Sequence, residues 1–94
     1  MSFTFEWDDD KASENLKKHG VSFPEASTVF ADPLARTIPD PLHSDDEGRF
    51  VILGQSGLQH NVVVVHTYRG DIIRIISARP ATPRERKDYE RGKE

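Results

Sequence analysis

Hydrophobic residues in the second half of the chain fall into three short runs that are rich in β-branched side chains. The runs are RFVILG (49–54), NVVVVHTY (61–68) and DIIRIISAR (71–79), and they are separated by QSGLQH and RG. Runs of this length and composition, bounded by glycine and polar residues, predict β-strands. Because both connections are short, the strands are predicted to pair as an antiparallel meander.

The first part of the chain predicts a short strand followed by two helices. FTFEW alternates aromatic and polar residues, which is typical of a strand. Asp8 is a suitable N-cap for a helix over DDKASENLKKH, which has acids in its first turn, basic residues in its last turn and Gly20 directly after its end. Ser22 and Glu25 have the spacing of a capping box and predict a second helix over PEASTVFA (24–31).

The remaining segments predict one more strand and a terminal helix. Residues 32–48 contain three prolines and a cluster of acids, which predict a strand over 34–38 and then an exposed loop. Thr82 and Glu85 repeat the capping-box spacing and predict a helix that ends near Arg91. The 94 residues are predicted to form a single domain, 1–94. The predicted fold is α+β, with two N-terminal helices, an antiparallel sheet of three to five strands and a C-terminal helix.

The register of the last hairpin can be predicted from its turn. A two-residue turn at positions 69 and 70 would pair Tyr68 with Asp71 and His66 with Ile73. The two faces of this hairpin would then carry Val62, Val64, His66, Tyr68, Asp71, Ile73, Ile75 and Ser77 on one side, and Val63, Val65, Thr67, Ile72, Arg74, Ile76 and Ala78 on the other. Arg49 is predicted to lie opposite His66, although a slip of one residue would separate the two.

Charge and composition narrow the class of protein. Residues 1–48 hold 4 basic and 11 acidic residues, whereas residues 49–94 hold 9 basic and 5 acidic residues. The net charge of −3 is therefore the sum of an acidic first half and a basic second half. A basic surface of this kind favours binding to a polyanion such as nucleic acid. The absence of cysteine excludes disulfides, thiolate metal sites and cysteine nucleophiles. The longest apolar run, 62–65, is too short to span a membrane, and we expect a cytoplasmic protein.

RNA cleavage without a metal requires a base for the 2′-hydroxyl, cationic donors for the phosphorane and an acid for the leaving oxygen. The residues that could transfer protons are His66, His19, Glu47 and Glu85. The residues that could hold phosphate are Arg49, Arg74, Arg79, Lys11 and Lys18. Each group also has a structural interpretation, such as a core histidine for His66, helix capping for Glu85 and dipole compensation for Lys18 and His19.

No metal or cofactor site is predicted. HSDDEG (43–48) offers oxygen ligands, but it lacks the full pattern of a calcium loop and any histidine pair for a transition metal. We therefore expect a solvated loop there.

Four segments together resemble the BrnT toxin family of bacterial type II toxin–antitoxin systems. They are FEWDDDKASENLKKHGVSF, FADP, the acidic loop before RFVILG, and RIISARPATPRER, and the resemblance runs from Phe5 to Tyr89. It implies a ribonuclease with a RelE-like fold that inhibits translation and growth as part of a bacterial stress response. It also implies a BrnA-like antitoxin that binds operator DNA and assembles with the toxin as a heterotetramer.

The residues and the resemblance together predict a metal-independent endoribonuclease that acts through attack by the 2′-hydroxyl. The predicted catalytic residues are Arg79, Arg49, His66 and Glu85, and the predicted RNA-binding residues are Arg74, Lys18, Lys11 and His19. The alternative is a non-catalytic nucleic-acid or protein-binding module in which the same arginines only position phosphates.

Overall fold

The order of helices and strands follows the predicted order closely. The computed structural model describes residues 3–41 and 48–92. The elements are β1 (Thr4–Glu6), α1 (Asp9–His19), α2 (Phe23–Thr28), a 3₁₀ turn (Val29–Ala31), β2 (Arg36–Pro39), β3 (Arg49–Gln55), β4 (Asn61–Arg69), β5 (Ile72–Pro80) and α3 (Pro83–Gly92). Strand β2 starts two residues later than predicted. The acidic loop, with Glu47, lies outside the described residues.

The helices begin where the capping signals place them, and α1 also ends at its signal, but the helix predicted over 24–31 stops at Thr28 and continues as the 3₁₀ turn. The Asp8 side chain accepts a hydrogen bond from the Lys11 amide at 3.1 Å, and Gly20 ends α1 with a φ of 73° that glycine adopts without strain. At the start of α3, the Glu85 amide donates to the Thr82 hydroxyl at 3.2 Å, and the Thr82 amide donates to Glu85 Oε1 at 2.8 Å. This reciprocal pair is the predicted capping box.

The five strands form one mixed sheet in the order β1-β5-β4-β3-β2. Strands β2 to β5 pair with their neighbours in antiparallel fashion, as predicted, but β1 pairs with β5 in parallel. The prediction of a wholly antiparallel sheet is therefore wrong. Because β1 and β5 are far apart in sequence, no hairpin constrains their relative direction, and β1 adds to the free edge of β5.

The register of the hairpin differs from the prediction. Arg69 pairs with Ile72, so residues 70 and 71 form the turn, and a β-bulge interrupts the pairing between Val65 and His66. In β3, Phe50 rather than Arg49 lies opposite His66, because the pairing is slipped by one residue. Arg49 and His66 consequently lie on opposite faces of the sheet.

Helices α1 and α2 cover one face of the sheet and form the core with it. The buried core residues include Phe23, Ala26 and Val29 from the helical side, and Val62, Val64 and Ile75 from the sheet. Removing these side chains from water is the main driving force for folding. Within the described residues, no helix is long and apolar enough to cross a membrane.

A buried asparagine joins α1 to the edge of β5. Asn15 Oδ1 accepts from the Ala78 amide at 3.0 Å, while Nδ2 donates to the carbonyls of Ala78 at 2.8 Å and Val21 at 3.0 Å. Strand β1 extends along β5 only as far as Arg74. The Asn15 amide therefore satisfies backbone groups of Ala78 that a neighbouring strand would otherwise bind.

Helix α3 is fixed at its C-terminal half by a tyrosine. The buried Tyr89 hydroxyl donates to Asp32 Oδ2 at 2.6 Å, and the same carboxylate oxygen accepts from the Gln55 amide at 2.8 Å. Burial and the Asp32 carboxylate raise the pKa of Tyr89 to about 12. This contact holds α3 beside the end of β3.

Candidate active site

Five arginines of the described strands share the face of the sheet that α1 and α2 leave uncovered, one of them Arg69, two residues after Thr67 on β4. Arg74 and Arg49 both pair with Thr67, from the two sides of β4, while Arg79 pairs with Val63 and Arg36 pairs with Leu53. Paired residues lie on one face, and so do residues two apart along a strand. We call this surface, with Arg36, Arg49, Arg74 and Arg79 around its apolar centre, the arginine face.

The β-bulge brings Arg74 and Arg79 together on this face. Residues five apart in a regular strand point to opposite faces. The bulge opposite Val65 and His66 adds one residue to β5, so that Ser77 and Arg79 lie on the same face as Arg74. The same shift turns Ala78 into the core, where it is 1% exposed.

Arg79 is held in a fixed orientation by Glu85. Two guanidinium nitrogens of Arg79 donate to the two carboxylate oxygens of Glu85, at 2.7 Å and 2.9 Å, and Nη1 also donates to the Pro80 carbonyl at 3.3 Å. The hydrogen bonds from Arg79 lower the pKa of Glu85 to about 2, and Glu85 in turn raises the pKa of Arg79. Because 42% of the Arg79 side chain is exposed, its remaining N–H groups can reach a ligand.

Arg74 lies at the other end of the face and is also paired. Its Nη1 donates to Glu6 Oε2 at 2.7 Å, and the same oxygen accepts from Arg69 at 2.9 Å. The hydrogen bond from Arg74 lowers the pKa of Glu6, although burial acts in the opposite direction. One carboxylate from β1 thus binds two guanidinium groups, which leaves this edge of the sheet with excess positive charge.

The centre of the arginine face is an open apolar cleft of about 310 Å³. Its apolar lining comes from Ile38, Val51, Leu53 and Val63, and its polar rim from Arg36, Glu85 and Asp88. The cleft lies between the sheet and the first turns of α3. It could accept an apolar group of a ligand whose charged groups contact the surrounding arginines.

Three of the predicted RNA-binding residues meet in a separate groove beside α1. Lys11, Lys18 and His19 line an open groove of about 270 Å³, whose other lining residues are Glu14 and Asn15 of α1 and Ile76 and Ser77 of β5. Ser77 pairs with Val65, and the groove therefore reaches the edge of the arginine face. Ser77 is thus shared by the edge of the arginine face and by the groove that the predicted lysines line.

Residues 7–85 match the family described as ribonuclease toxin, BrnT, of type II toxin–antitoxin systems. The chain belongs to the BrnT family of ribonuclease toxins. Its structure is similar to the 1.1 Å crystal structure of the Brucella abortus ribonuclease toxin BrnT, with a TM-score of 0.68, 21% sequence identity, and coverage of 86% of this chain and 99% of that chain. At this identity the similarity establishes a shared fold. No curated protein matches the sequence. The likeness to RelE toxins stays a prediction.

His66 lies away from the arginine face of this BrnT-family chain. The residue is 0% exposed, and its ring contacts those of Phe30, Phe50 and Tyr68, with centroid distances of 4.7, 6.1 and 5.4 Å. Nδ1 bonds to the Val64 carbonyl at 3.1 Å, and Nε2 is buried without a hydrogen-bond partner in the described part of the chain. Burial lowers the pKa of His66. This location disfavours the predicted catalytic role, because RNA cannot reach the ring.

The buried, neutral His66 predicts a pH dependence of stability. Below about pH 6.5 the unfolded chain binds a proton at this residue, whereas the folded chain binds it only at a lower pH. The free energy of unfolding should therefore be highest above pH 6.5 and fall by up to about 1.4 kcal/mol per pH unit as the pH drops towards the folded pKa.

Urea unfolding between pH 7.5 and 5 checks this expectation. His66→Phe keeps an aromatic ring in the cluster and removes the titrating group, so its stability should fall less steeply over the same range. The other histidines are present in both proteins, and the comparison cancels their contribution. Identical pH slopes for the two proteins would contradict the assignment.

Several residues of the arginine face were not identified from the sequence. Arg36 was not considered, although the predicted strand over 34–38 places Arg36 and Ile38 on the same face of the sheet. The binding of Glu6 to two arginines depends on the parallel pairing of β1 and β5, which no local pattern shows. Glu47 lies outside the described residues. Among the described ones, no three His, Cys, Asp or Glu side chains are grouped as metal ligands would be.

Proposed function

We propose that this chain is an endoribonuclease toxin that cleaves RNA bound across the arginine face. The observation that carries the proposal is the Arg79–Glu85 pair, which holds a half-exposed guanidinium in place on the same face as Arg49 and Arg74. A guanidinium whose orientation is set before the substrate binds can stabilise charge that develops on a phosphate without reorganising during the reaction.

The proposed reaction is attack by the 2′-hydroxyl on the adjacent phosphate. The 2′ oxygen forms a bond to phosphorus, the bond to the 5′ oxygen breaks, and the products are a 2′,3′-cyclic phosphate and a 5′-hydroxyl end. Arg79 stabilises the negative phosphorane, and Arg49 and Arg74 bind phosphates along the strand. Because arginines supply the positive charge, the reaction is proposed to need no metal or organic cofactor.

Glu85 has a positioning role in this proposal. A carboxylate with a pKa of about 2 stays ionised at neutral pH, but it is a very weak base and accepts a proton poorly. Its two hydrogen bonds to Arg79 and its bond from the Thr82 amide instead connect the guanidinium to the start of α3. The role first predicted for Glu85, proton transfer, is therefore replaced by orientation of Arg79.

The groove beside α1 is proposed to hold the RNA on one side of the cleavage site. Lys11, Lys18 and His19 lie along one side of α1, and the groove that they line reaches Ser77 on the arginine face. Lysine binds phosphate as a point charge and tolerates different backbone conformations. These residues should therefore raise affinity for RNA without selecting its sequence.

The membership of the chain in a toxin–antitoxin family implies an antitoxin partner. We propose a BrnA-like antitoxin that dimerises, binds operator DNA and carries one toxin on each subunit, which gives a cytoplasmic heterotetramer. The toxin would contact DNA only through this partner. Co-expression with the protein encoded by the neighbouring gene and mass measurement by light scattering should show two copies of each chain. A stable one-to-one complex would contradict the heterotetramer.

The main test is incubation of the purified protein with total RNA in EDTA, with and without the antitoxin. We expect cleavage that persists in chelator, leaves 2′,3′-cyclic phosphate ends and stops when the antitoxin is added. Loss of activity in EDTA that Mg²⁺ or Mn²⁺ restores would contradict the metal-free reaction. Binding without any cleavage would instead support the alternative, a non-catalytic module whose arginines only position phosphates.

A further inference from the structure

A histidine that the sequence left unassigned lies in an open cleft at the start of α3. His60, in the loop between β3 and β4, is 65% exposed in its side chain. It lines a cleft of about 420 Å³ whose other lining residues include Gln59, Asn61, Pro80 and Arg86. The cleft is large enough for a nucleotide-sized group and contains both amide and cationic side chains.

The ring of His60 is oriented by a carboxylate that is mostly buried. Nδ1 of His60 lies 2.7 Å from Oε2 of Glu25, whose side chain is only 8% exposed. The same oxygen accepts a hydrogen bond from the Ser56 hydroxyl at 2.7 Å. Binding of Nδ1 to a carboxylate selects the tautomer in which Nε2 can accept a proton, which is the arrangement that carboxylate–histidine pairs use in general-base catalysis.

The loop is built to hold His60 in this position. The Ser56 amide donates to the His60 carbonyl at 2.7 Å, and the His60 amide donates to the Ser56 hydroxyl at 3.2 Å. Gln59, directly before the histidine, has a φ of 67°, which is unfavourable for a residue with a side chain. The surrounding hydrogen bonds maintain this conformation, and strain of this kind is concentrated at functional sites.

The cleft adjoins the position of Arg79. The Ala81 amide donates to the Asn61 carbonyl at 2.9 Å, and Val62 pairs with Pro80, so the end of β5 lies beside the two residues that follow His60. Arg79 and Pro80 point to opposite faces of the sheet, but Arg79 Nη1 donates to the carbonyl of Pro80, which lines the cleft, at 3.3 Å, so the Arg79 guanidinium and the cleft meet at the end of β5. An RNA strand with one phosphate on Arg79 would have to cross the end of β5 to place a neighbouring nucleotide in this cleft.

Neither of the proton-transfer residues first predicted for the catalytic set suits that role. His66 is fully buried, and Glu85 has a pKa of about 2. We propose that His60, positioned by Glu25, is the general base of the ribonuclease, and that the cleft binds the nucleotide that carries the attacking 2′-hydroxyl. This inference rests on the proposed ribonuclease function.

The proton balance is simple. Nε2 of His60 accepts the proton of the 2′-hydroxyl as the bond from the 2′ oxygen to phosphorus forms. The bond between phosphorus and the 5′ oxygen breaks, and the leaving oxygen takes a proton from water. The resulting hydroxide accepts the proton from the His60 imidazolium, which restores the neutral ring. No oxidant, reductant or further reactant is consumed.

Three variants in the EDTA cleavage assay test the inference. His60→Asn keeps a donor close to the position of Nδ1, and so retains the hydrogen bond to Glu25 while removing the base. We expect its kcat to fall by about 10²-fold or more with little change in KM, and the limb of the pH profile that reports the base to disappear. His60→Ala should lose a similar factor and regain activity when imidazole is added. Asp71→Asn, in the turn at the far end of β4, should cleave at the wild-type rate.

The outcomes separate this inference from the proposed function. If the wild type cleaves RNA and His60→Asn cleaves it at the same rate, the Glu25–His60 pair only connects the loop to α2. The inference is then wrong, while the ribonuclease proposal stands. Loss of activity in His60→Ala without imidazole rescue would likewise overturn it. If wild type cleaves no RNA, the proposed function itself fails, and the inference fails with it.

Discussion

Arg79→Ala is expected to lower the rate of RNA cleavage by about 10²-fold or more while the protein remains folded. Arg79 lies on the arginine face with its guanidinium fixed by both oxygens of Glu85. Removing it takes away a donor that is aligned before the substrate binds. The fold should survive, because Glu85 keeps its hydrogen bond from the Thr82 amide and is partly exposed to water.

Two further variants sharpen this experiment. Arg79→Lys keeps the charge but loses the planar fork, so it should restore only a small part of the activity. Arg84→Ala removes an exposed arginine from the same region of the chain and should change the rate by less than about threefold. Single-turnover cleavage of a defined RNA, with circular dichroism as the check on folding, gives the comparison. Wild-type rates for Arg79→Ala would place the catalytic site elsewhere.

Asn15→Leu is expected to destabilise the protein by about 3 kcal/mol or more. The Asn15 side chain makes three hydrogen bonds to the backbone of Val21 and Ala78 in a buried environment. Leucine has a similar volume, but it leaves one amide and two carbonyls without partners, and each such group costs about 1–3 kcal/mol. Since small domains are stable by only about 5–15 kcal/mol, the effect should be large.

Urea unfolding measures this change, and Ser13→Ala is the matched control. Ser13 is exposed on the same helix, and its replacement should alter the free energy of unfolding by no more than about 0.5 kcal/mol. Asn15→Asp retains an acceptor for the Ala78 amide but loses both donated bonds and buries a carboxylate, so it should also destabilise the fold. A value for Asn15→Leu within 1 kcal/mol of wild type would show that water replaces the missing groups.

Much of the local structure was readable from the sequence because its causes are local. Asp8 and Gly20 mark the start and the end of α1, as predicted. The start of a helix is stabilised by a side-chain acceptor and its end by a residue in the left-handed conformation, and both signals lie within one turn of the helix. Thr82 and Glu85 form the predicted capping box for the same reason. The three central strands follow from runs of β-branched residues, which favour extended backbone. The motifs around GVSF and ISARPA also pointed to the BrnT family.

The composition of the candidate site was decided by tertiary structure. Arg74 and Arg79 would point to opposite faces of a regular strand, and only the bulge opposite Val65 and His66 places both on the arginine face. A one-residue slip in the pairing of β3 with β4 sets Phe50, and not Arg49, beside His66. Register and bulges depend on how whole faces pack against the core, and a short window of sequence does not contain that information.

Contacts between distant residues are the other part that the sequence left open. The Glu25–His60 pair joins residues 35 apart, and the Glu6–Arg74 pair joins residues 68 apart. Neither pair has a spacing pattern, because each arises from the packing of separate elements. By itself, the sequence determined the elements, their caps, the charge of each half and the family. Packing decided which of the charged residues meet, since pairing energies between remote segments are settled only when the whole core forms.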